Sequence, residues 1–246
     1  MKRSVKRIIA SLGFEVRRRR PRPDDLDPFD QQQQLLAGVV SPVILDVGAH
    51  WGETSAHYAA LFPRGKIHAF EPFPESFAIL ARNLANLPQV SLHAMGFAEI
   101  SGEFVLNANT SSATNSLFET HIKGADVWGP NLLQTSKQVL CRFTTLDNFL
   151  AKSGILSIDL LKLDVQGAEY NVLEGGARTF AAGAIDIVYI EILTLPTYKC
   201  QRHLTEYLEF FQQYRMELYG IYNPSHCRGH LRQIDAIFVS NKYSFV

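Results

Sequence analysis

The sequence predicts one α/β domain: a mostly parallel sheet of seven strands, its last strand antiparallel, with helices on both faces. Three observations carry this expectation. Short apolar runs alternate with helix-length segments along most of the chain, the rhythm of strand–helix–strand units. The run "AIDIVYIEIL" is apolar almost throughout, as in a strand buried on both faces. A chain of 246 residues that is 46% hydrophobic can bury one sizeable core without a second domain.

The elements follow in order. Residues 1–30 are expected to be a basic arm and 31–246 a single domain. Residues 1–22 hold nine Lys/Arg and one acid, Glu15, so the rest of this net-neutral chain is acidic. Val5, Ile8, Ile9 and Leu12 fall at helical spacing opposite the basic residues, and Pro21 and Pro23 then force extended chain. The arm reads first as a solvated extension and second as a weak membrane-surface or partner contact.

"DPFDQQQQLLAGVVSP" reads as a helix, "PVILDVG" as a strand, "GETSAHYAALFP" as a helix and "KIHAFEP" as a strand. "PESFAILARNLANLP" is a helix ended by Pro88, and "VSLHAMGF" is a third strand. Residues 101–145, rich in Asn, Ser and Thr, read as an antiparallel insertion able to cover a site. The rhythm resumes with "TLDNFLAKSG" (helix), "DLLKLDVQG" (strand), "AEYNVLEGGARTF" (one helix), "AIDIVYIEIL" (strand) and "HLTEYLEFFQQY" (helix). "MELYGIYN" and "QIDAIFVS" are two final strands joined by the loop "PSHCRGHLR". No helix separates them, so they pair antiparallel.

Ligands of open parallel sheets bind beyond the carboxyl ends of strands, where strand order reverses. Acids stand at four such ends: Asp46, Glu71, Asp164 and Glu191. In "ILDVGAHWGETS" an acid heads a turn through Gly48 and Gly52 into a helix. This is not the G-x-G-x-x-G turn that lets a pyrophosphate approach the backbone. An acid repels phosphate and attracts an ammonium or sulfonium group. Glu71, 25 residues later, can take both hydroxyls of a ribose. An adenosyl ligand with a cationic amino-acid tail and no phosphate fits both, and S-adenosylmethionine is such a ligand.

Taken together, "ILDVGAHWGETS", "AFEPFPESFAILARN", "TTLDNFL" and "IDLLKLDVQGAEYNVLEGG" resemble the FkbM-type methyltransferase family over about residues 43–193. The resemblance implies a Rossmann-like class I methyltransferase fold, dependence on S-adenosylmethionine, and methyl transfer, usually to a hydroxyl of a sugar, glycan or polyketide-like small molecule. By position, Asp46, Gly48 and Gly52 match the family's cofactor turn, Glu71 its ribose-binding acid, and Asp164 and Glu169 its "DVEGAE" block. His50 stands where the family usually has Asn, and Gln166 where it usually has Glu. His50 can still hydrogen-bond the cofactor's amino-acid end; Gln166 loses a charge but can orient a hydroxyl or an adenine edge. Ser55, Pro72 and Met95 complete the expected cofactor contacts.

A sugar hydroxyl is a poor nucleophile, so a positioned base helps it attack the methyl group. Asp164, at the end of its strand, is the first choice; its alternative is a cap on the next helix. Glu191 either holds the acceptor or supports Asp164. Glu169 supports the turn, and Lys162 reads as a satisfied structural lysine, set apart from Asp164. Trp128 in the insertion is either core or a platform for a sugar ring. His226, with Cys227 and His230, forms a polar substrate-facing loop; a fourth ligand at zinc spacing is missing, and no metal is expected.

Other classes fit less well. An acidic body does not suit duplex binding, and no nucleic-acid partner is expected. The missing G-x-G-x-x-G disfavours a nicotinamide-dependent oxidoreductase. A cofactor-binding subunit without catalysis would not need Asp164 and Glu191. Three scattered cysteines without a CxxC pair suit a reducing, cytoplasmic setting, with the arm as a peripheral membrane contact at most. No run of 18 apolar residues occurs.

Overall fold

The expected rhythm is realised in a computed structural model that describes residues 27–243. The basic arm expected over residues 1–22 lies outside the described residues. Helix α1 (Pro28–Leu35) is capped by Asp27, whose carboxylate accepts the Phe29 amide at 2.9 Å. This helix spans the residue-30 boundary drawn from composition, and its buried Gln31 and Gln32 join it to the body.

The main strands are β1 (Val43–Val47), β2 (Lys66–Phe70), β3 (Val90–His93), β7 (Ile158–Leu163), β8 (Ile185–Leu193), β9 (Glu217–Cys227) and β10 (His230–Val239). They form a seven-stranded sheet in the order β3-β2-β1-β7-β8-β10-β9. All neighbours up to β8 are parallel; β10 runs antiparallel to both β8 and β9. Strand order reverses between β1 and β7, so a crevice opens beyond their carboxyl ends. A second sheet, β4 (Gly96–Phe97), β5 (Gly102–Asn109) and β6 (Thr135–Thr144), is built largely from the insertion, with β5 and β6 antiparallel as expected.

Side-chain alternation sorts each strand onto two cores. Leu45, Val47, Leu161 and Leu163 face one layer, completed by α5 (Leu146–Ser153), α6 (Glu169–Glu174) and α8 (Leu204–Gln213). Ile44 and Leu160 face the other, where Tyr58 and Ala59 of α2 (Glu53–Leu61) pack. On the first face Phe211 of α8 stacks on Phe238 of β10 at 3.9 Å, both almost fully buried.

Four sequence expectations are corrected. Helix α3 (Pro74–Asn83) stops well before Pro88: Leu84 closes it, and its side chain turns inward. Pro88 already biases the residue before it away from helical conformation. The stretch 90–97 is two strands, because the chain turns at Met95 and leaves β3 for the second sheet as β4. Residues 168–180 form α6 and α7 (Ala177–Ala181), broken at Gly175, where a Cβ would sit 2.2 Å from the Ala98 carbonyl oxygen. Finally, "PSHCRGHLR" is mostly strand. β9 and β10 run through it to a tight turn at Arg228 and Gly229, both at positive φ, as hairpin turns of this length require. Pro224 is tolerated because β9 is an edge strand. Among the described residues no helix is long and apolar enough to cross a membrane.

Removing the Phe211 ring leaves a cavity under β10 that the sheet cannot collapse into. Phe211→Ala is expected to cost about 3–5 kcal/mol of stability, read as a lower urea midpoint.

Candidate active site

A cavity of about 210 Å³ opens at the carboxyl ends of β1, β2 and β7, under the insertion. Its floor begins at Gly48. There φ is +79°, and a Cβ would lie 1.8 Å from the Asp164 carbonyl oxygen, so only glycine lets the two turns meet. The Gly48 and Ala49 amides donate to the Phe70 carbonyl, tying the β1 turn to the end of β2. His50 follows at φ +49°. Its amide donates to Glu71 Oε2 at 2.9 Å, while the Phe73 amide donates to Glu71 Oε1 at 2.9 Å. Glu71 is buried against the cavity, and burial raises its pKa to about 7 despite those two amides. The His50 ring lies 2.8 Å from Ser112 Oγ of the insertion and stacks on Trp51; burial lowers its pKa, favouring the neutral ring.

Behind this turn lies a buried ion pair. Asp46 and Lys162 are register partners on β1 and β7 and point to the same face. Lys162 Nζ sits 3.1 Å from Asp46 Oδ1 and 3.7 Å from Asp164 Oδ2, and donates to the Gly48 carbonyl at 3.2 Å. Ser55 Oγ donates to Asp46 Oδ2 at 2.6 Å. Burial opposes the lysine's charge, but Asp46 and Asp164 outweigh it and hold its pKa above the usual range.

The turn after β7 carries the second half of the site. Gln166 has φ +55°. Its Nε2 donates to Asp164 Oδ1 at 2.8 Å and to Glu191 Oε2 at 3.0 Å. The single hydroxyl hydrogen of Tyr198 is shared between Gln166 Oε1 and the Thr114 carbonyl oxygen, 3.1 and 2.9 Å away. Glu169 Oε1 accepts the Val165 and Gly167 amides, so Glu169, not Asp164, holds the turn ahead of α6. Burial raises the Glu169 pKa to about 7. Burial and then Asp164 push Glu191 well up, and its Oε1 accepts from Gln233 at 2.6 Å.

Of the residues expected from sequence, Gly48, His50, Glu71, Pro72, Asp164 and Gln166 line the cavity. The others lie outside this lining. Asp46 and Ser55 are fully buried beneath the turn and spend their polar atoms on Lys162 and each other. Gly52 packs against Leu80 and Leu84 of α3 instead of facing the cavity. Met95 packs on the main core, and its neighbours Gly96 and Phe97 take the wall. Glu191 stands behind Gln166, outside the lining. Trp128 donates to Thr197 Oγ1 at 2.8 Å and lies under the Arg232 guanidinium at 4.0 Å. His226 is exposed on the β9–β10 hairpin, paired with Leu231 and away from the cavity. Lys162 is the satisfied structural lysine expected, but it reaches Asp164 as well as Asp46 instead of standing apart from it.

Sequence reasoning missed Ser112 and Asn115, which reach the cavity from the insertion between β5 and α4 (Gly124–Trp128), and the apolar wall of Phe97, Leu106 and Phe143. The Asn- and Ser-rich composition of "NANTSSATNS" was the available signal. Asn115 Oδ1 accepts the Asn109 amide, and its buried Nδ2 has no partner in the protein. Carboxylate oxygens of Asp164, Glu169 and Glu191 lie within 4.8 Å of one another; this is the only three-donor cluster among the described residues, and His226, Cys227 and His230 form none.

Residues 46–220 match the family model for the methyltransferase FkbM domain. The chain is 26% identical over 189 residues to the 2-O-methyltransferase NoeI of Sinorhizobium fredii, covering 71% of this chain and 73% of that one. It is 30% identical over 142 residues to Methyltransferase 1 of Beauveria bassiana, covering 54% and 57%. The crystal structure of methyltransferase FkbM from Methylobacillus flagellatus shares the fold, with a TM-score of 0.52 at 14% identity over 81% of this chain and 44% of that one. The chain thus spans most of the first relative and less than two thirds of the other two.

Two outcomes test this geometry. Lys162→Met strands the buried Asp46 charge and is expected to cost about 3–5 kcal/mol in urea unfolding, with Asp46→Asn in the same chain recovering much of the loss. Glu169 holds its proton more tightly folded than unfolded. Its contribution is therefore full below about pH 4.5 and is lost as pH rises through about 7. Glu169→Gln keeps the acceptor for both amides, so its stability relative to wild type should rise between pH 5 and pH 8, read from paired urea midpoints.

Proposed function

The chain belongs to the methyltransferase FkbM domain family, and on that premise we propose that it uses S-adenosylmethionine to methylate a hydroxyl of a sugar, glycan or polyketide-like small molecule. The observation that carries this reading is the cavity at the β1–β7 reversal, which has Glu71 on one side and Asp164 on the other.

The lining fits such a donor. Glu71 is anchored by two backbone amides and can accept the paired hydroxyls of a ribose. Phe97, Leu106 and Phe143 offer a dry wall for a flat base, and the unpartnered Asn115 Nδ2 offers a donor to a ring nitrogen or oxygen. Among the described residues Lys162 is the one lysine of the lining, and it is already spent on Asp46, so they leave the cavity no spare lysine or arginine for a phosphate. Gly48, His50, Pro72 and Gln166 complete the contacts proposed for the cofactor. When bound, S-adenosylmethionine supplies a methyl group on a sulfonium centre.

Asp164 is the proposed base. Its side chain is 37% exposed, Oδ1 is held by Gln166, and Oδ2 faces Lys162. That leaves room to take a proton from an acceptor hydroxyl, a contribution of about 10²–10⁴ in rate. Glu191 and Gln233 act from behind, fixing the Gln166 amide that aims Asp164. The insertion excludes water with Leu106 and Leu117. Transfer to oxygen is supported by the 2-O-methyltransferase name of the first relative. Asp164's opening into the cavity favours catalysis over a mute binding subunit.

Calorimetric titration with S-adenosylmethionine is expected to show binding that Glu71→Ala abolishes and Asp164→Asn preserves. Methyl transfer to a panel of sugars and glycans should fall about 10²-fold or more in Asp164→Asn. Absence of binding with and without acceptors, or an unchanged turnover in Asp164→Asn, would overturn the reading.

A further inference from the structure

We propose that the Gln166 amide fills the place a divalent cation would otherwise take among Asp164, Glu169 and Glu191, and so closes this cluster to metal. Oxygens bound to one Mg²⁺, Mn²⁺ or Ca²⁺ lie about 2.0–2.6 Å from it, and therefore within about 5 Å of one another. The three acids meet that spacing, at 4.8 Å or less. Between two of them stands a nitrogen instead: Gln166 Nε2, 2.8 Å from Asp164 Oδ1 and 3.0 Å from Glu191 Oε2. These are hydrogen-bond lengths, and the two N–H groups do the bridging that a cation would do.

The amide is fixed in this sense. Turned over, it would press its oxygen against two carboxylates, Asp164 and Glu191, and lose both hydrogen bonds. The backbone is pinned as well, since Ser116 Oγ donates to the Gln166 carbonyl at 2.7 Å. The remaining acid, Glu169, gives one oxygen to the Val165 and Gly167 amides. The nearby positive charge is already supplied: Lys162 lies 3.7 Å from Asp164. Gln166 is thus a positioning residue that joins Asp164 to Glu191 without adding charge, and the inference stands whether or not the chain transfers methyl groups.

The test uses the full chain and Mn²⁺ alone, followed by electron paramagnetic resonance and calorimetry. Wild type is expected to leave Mn²⁺ free. Gln166→Glu, which turns the bridge into a fourth carboxylate, should bind one Mn²⁺ with a dissociation constant on the order of 1 mM or tighter, lost again when Glu191→Gln is added. Gln166→Ala removes the amide without adding charge and should bind more weakly through the same three acids, which keeps the test alive if the first variant does not fold. Wild-type binding that Glu191→Gln abolishes would overturn the proposal. Folded variants that both stay silent would overturn it too, because the amide would then not be what keeps metal out. No readout involves methyl transfer, so failure here is distinguishable from failure of the functional reading.

Discussion

The site depends on one buried contact, Lys162 with Asp46 across β1 and β7. These strands flank the point where sheet order reverses, and the two turns that frame the cavity hang from their ends. From a single nitrogen, Lys162 reaches Asp46, the Gly48 carbonyl and Asp164. A buried ion pair adds little net stability, because desolvation consumes most of its attraction, but it is costly to break. Its effect here is on register. Any slip between β1 and β7 would separate the charges and pull Gly48 away from the Asp164 carbonyl that it touches.

Much of this was legible in the chain. Apolar runs and their spacing placed every parallel strand, and the rule that ligands sit beyond carboxyl ends pointed to Glu71, Asp164 and their turns. What the sequence hid was direction. Asp46 lies inside β1, covered by Lys162 and Ser55, and Glu191 lies inside β8, behind Gln166. Laying "ILDV" beside "LLKL" would have set Asp46 against Lys162, but that register is fixed only when the sheet forms. The break at Gly175 and the departure of β4 from β3 were hidden for a similar reason: each answers a backbone neighbour distant in sequence.

The four strand-end acids therefore divide their work. Asp46 anchors, Glu191 steadies an amide, and Glu71 and Asp164 face the cavity. Burial drives Glu169 and Glu191 toward their neutral forms, so the close carboxyl groups of Asp164, Glu169 and Glu191 need not carry three charges at once. Lys162 then balances what charge remains near Asp164 and Asp46.

Strand β4 is only two residues long, yet it belongs to the insertion's sheet through Phe143 and Thr144 while its own Gly96 and Phe97 line the cavity. The insertion is consequently no detachable accessory. A graft that exchanged residues 101–145 for those of a relative would also replace the partner against which Phe97 is set, and with it one wall of the cavity. One stretch of chain thus builds both the cover of the cavity and part of its wall.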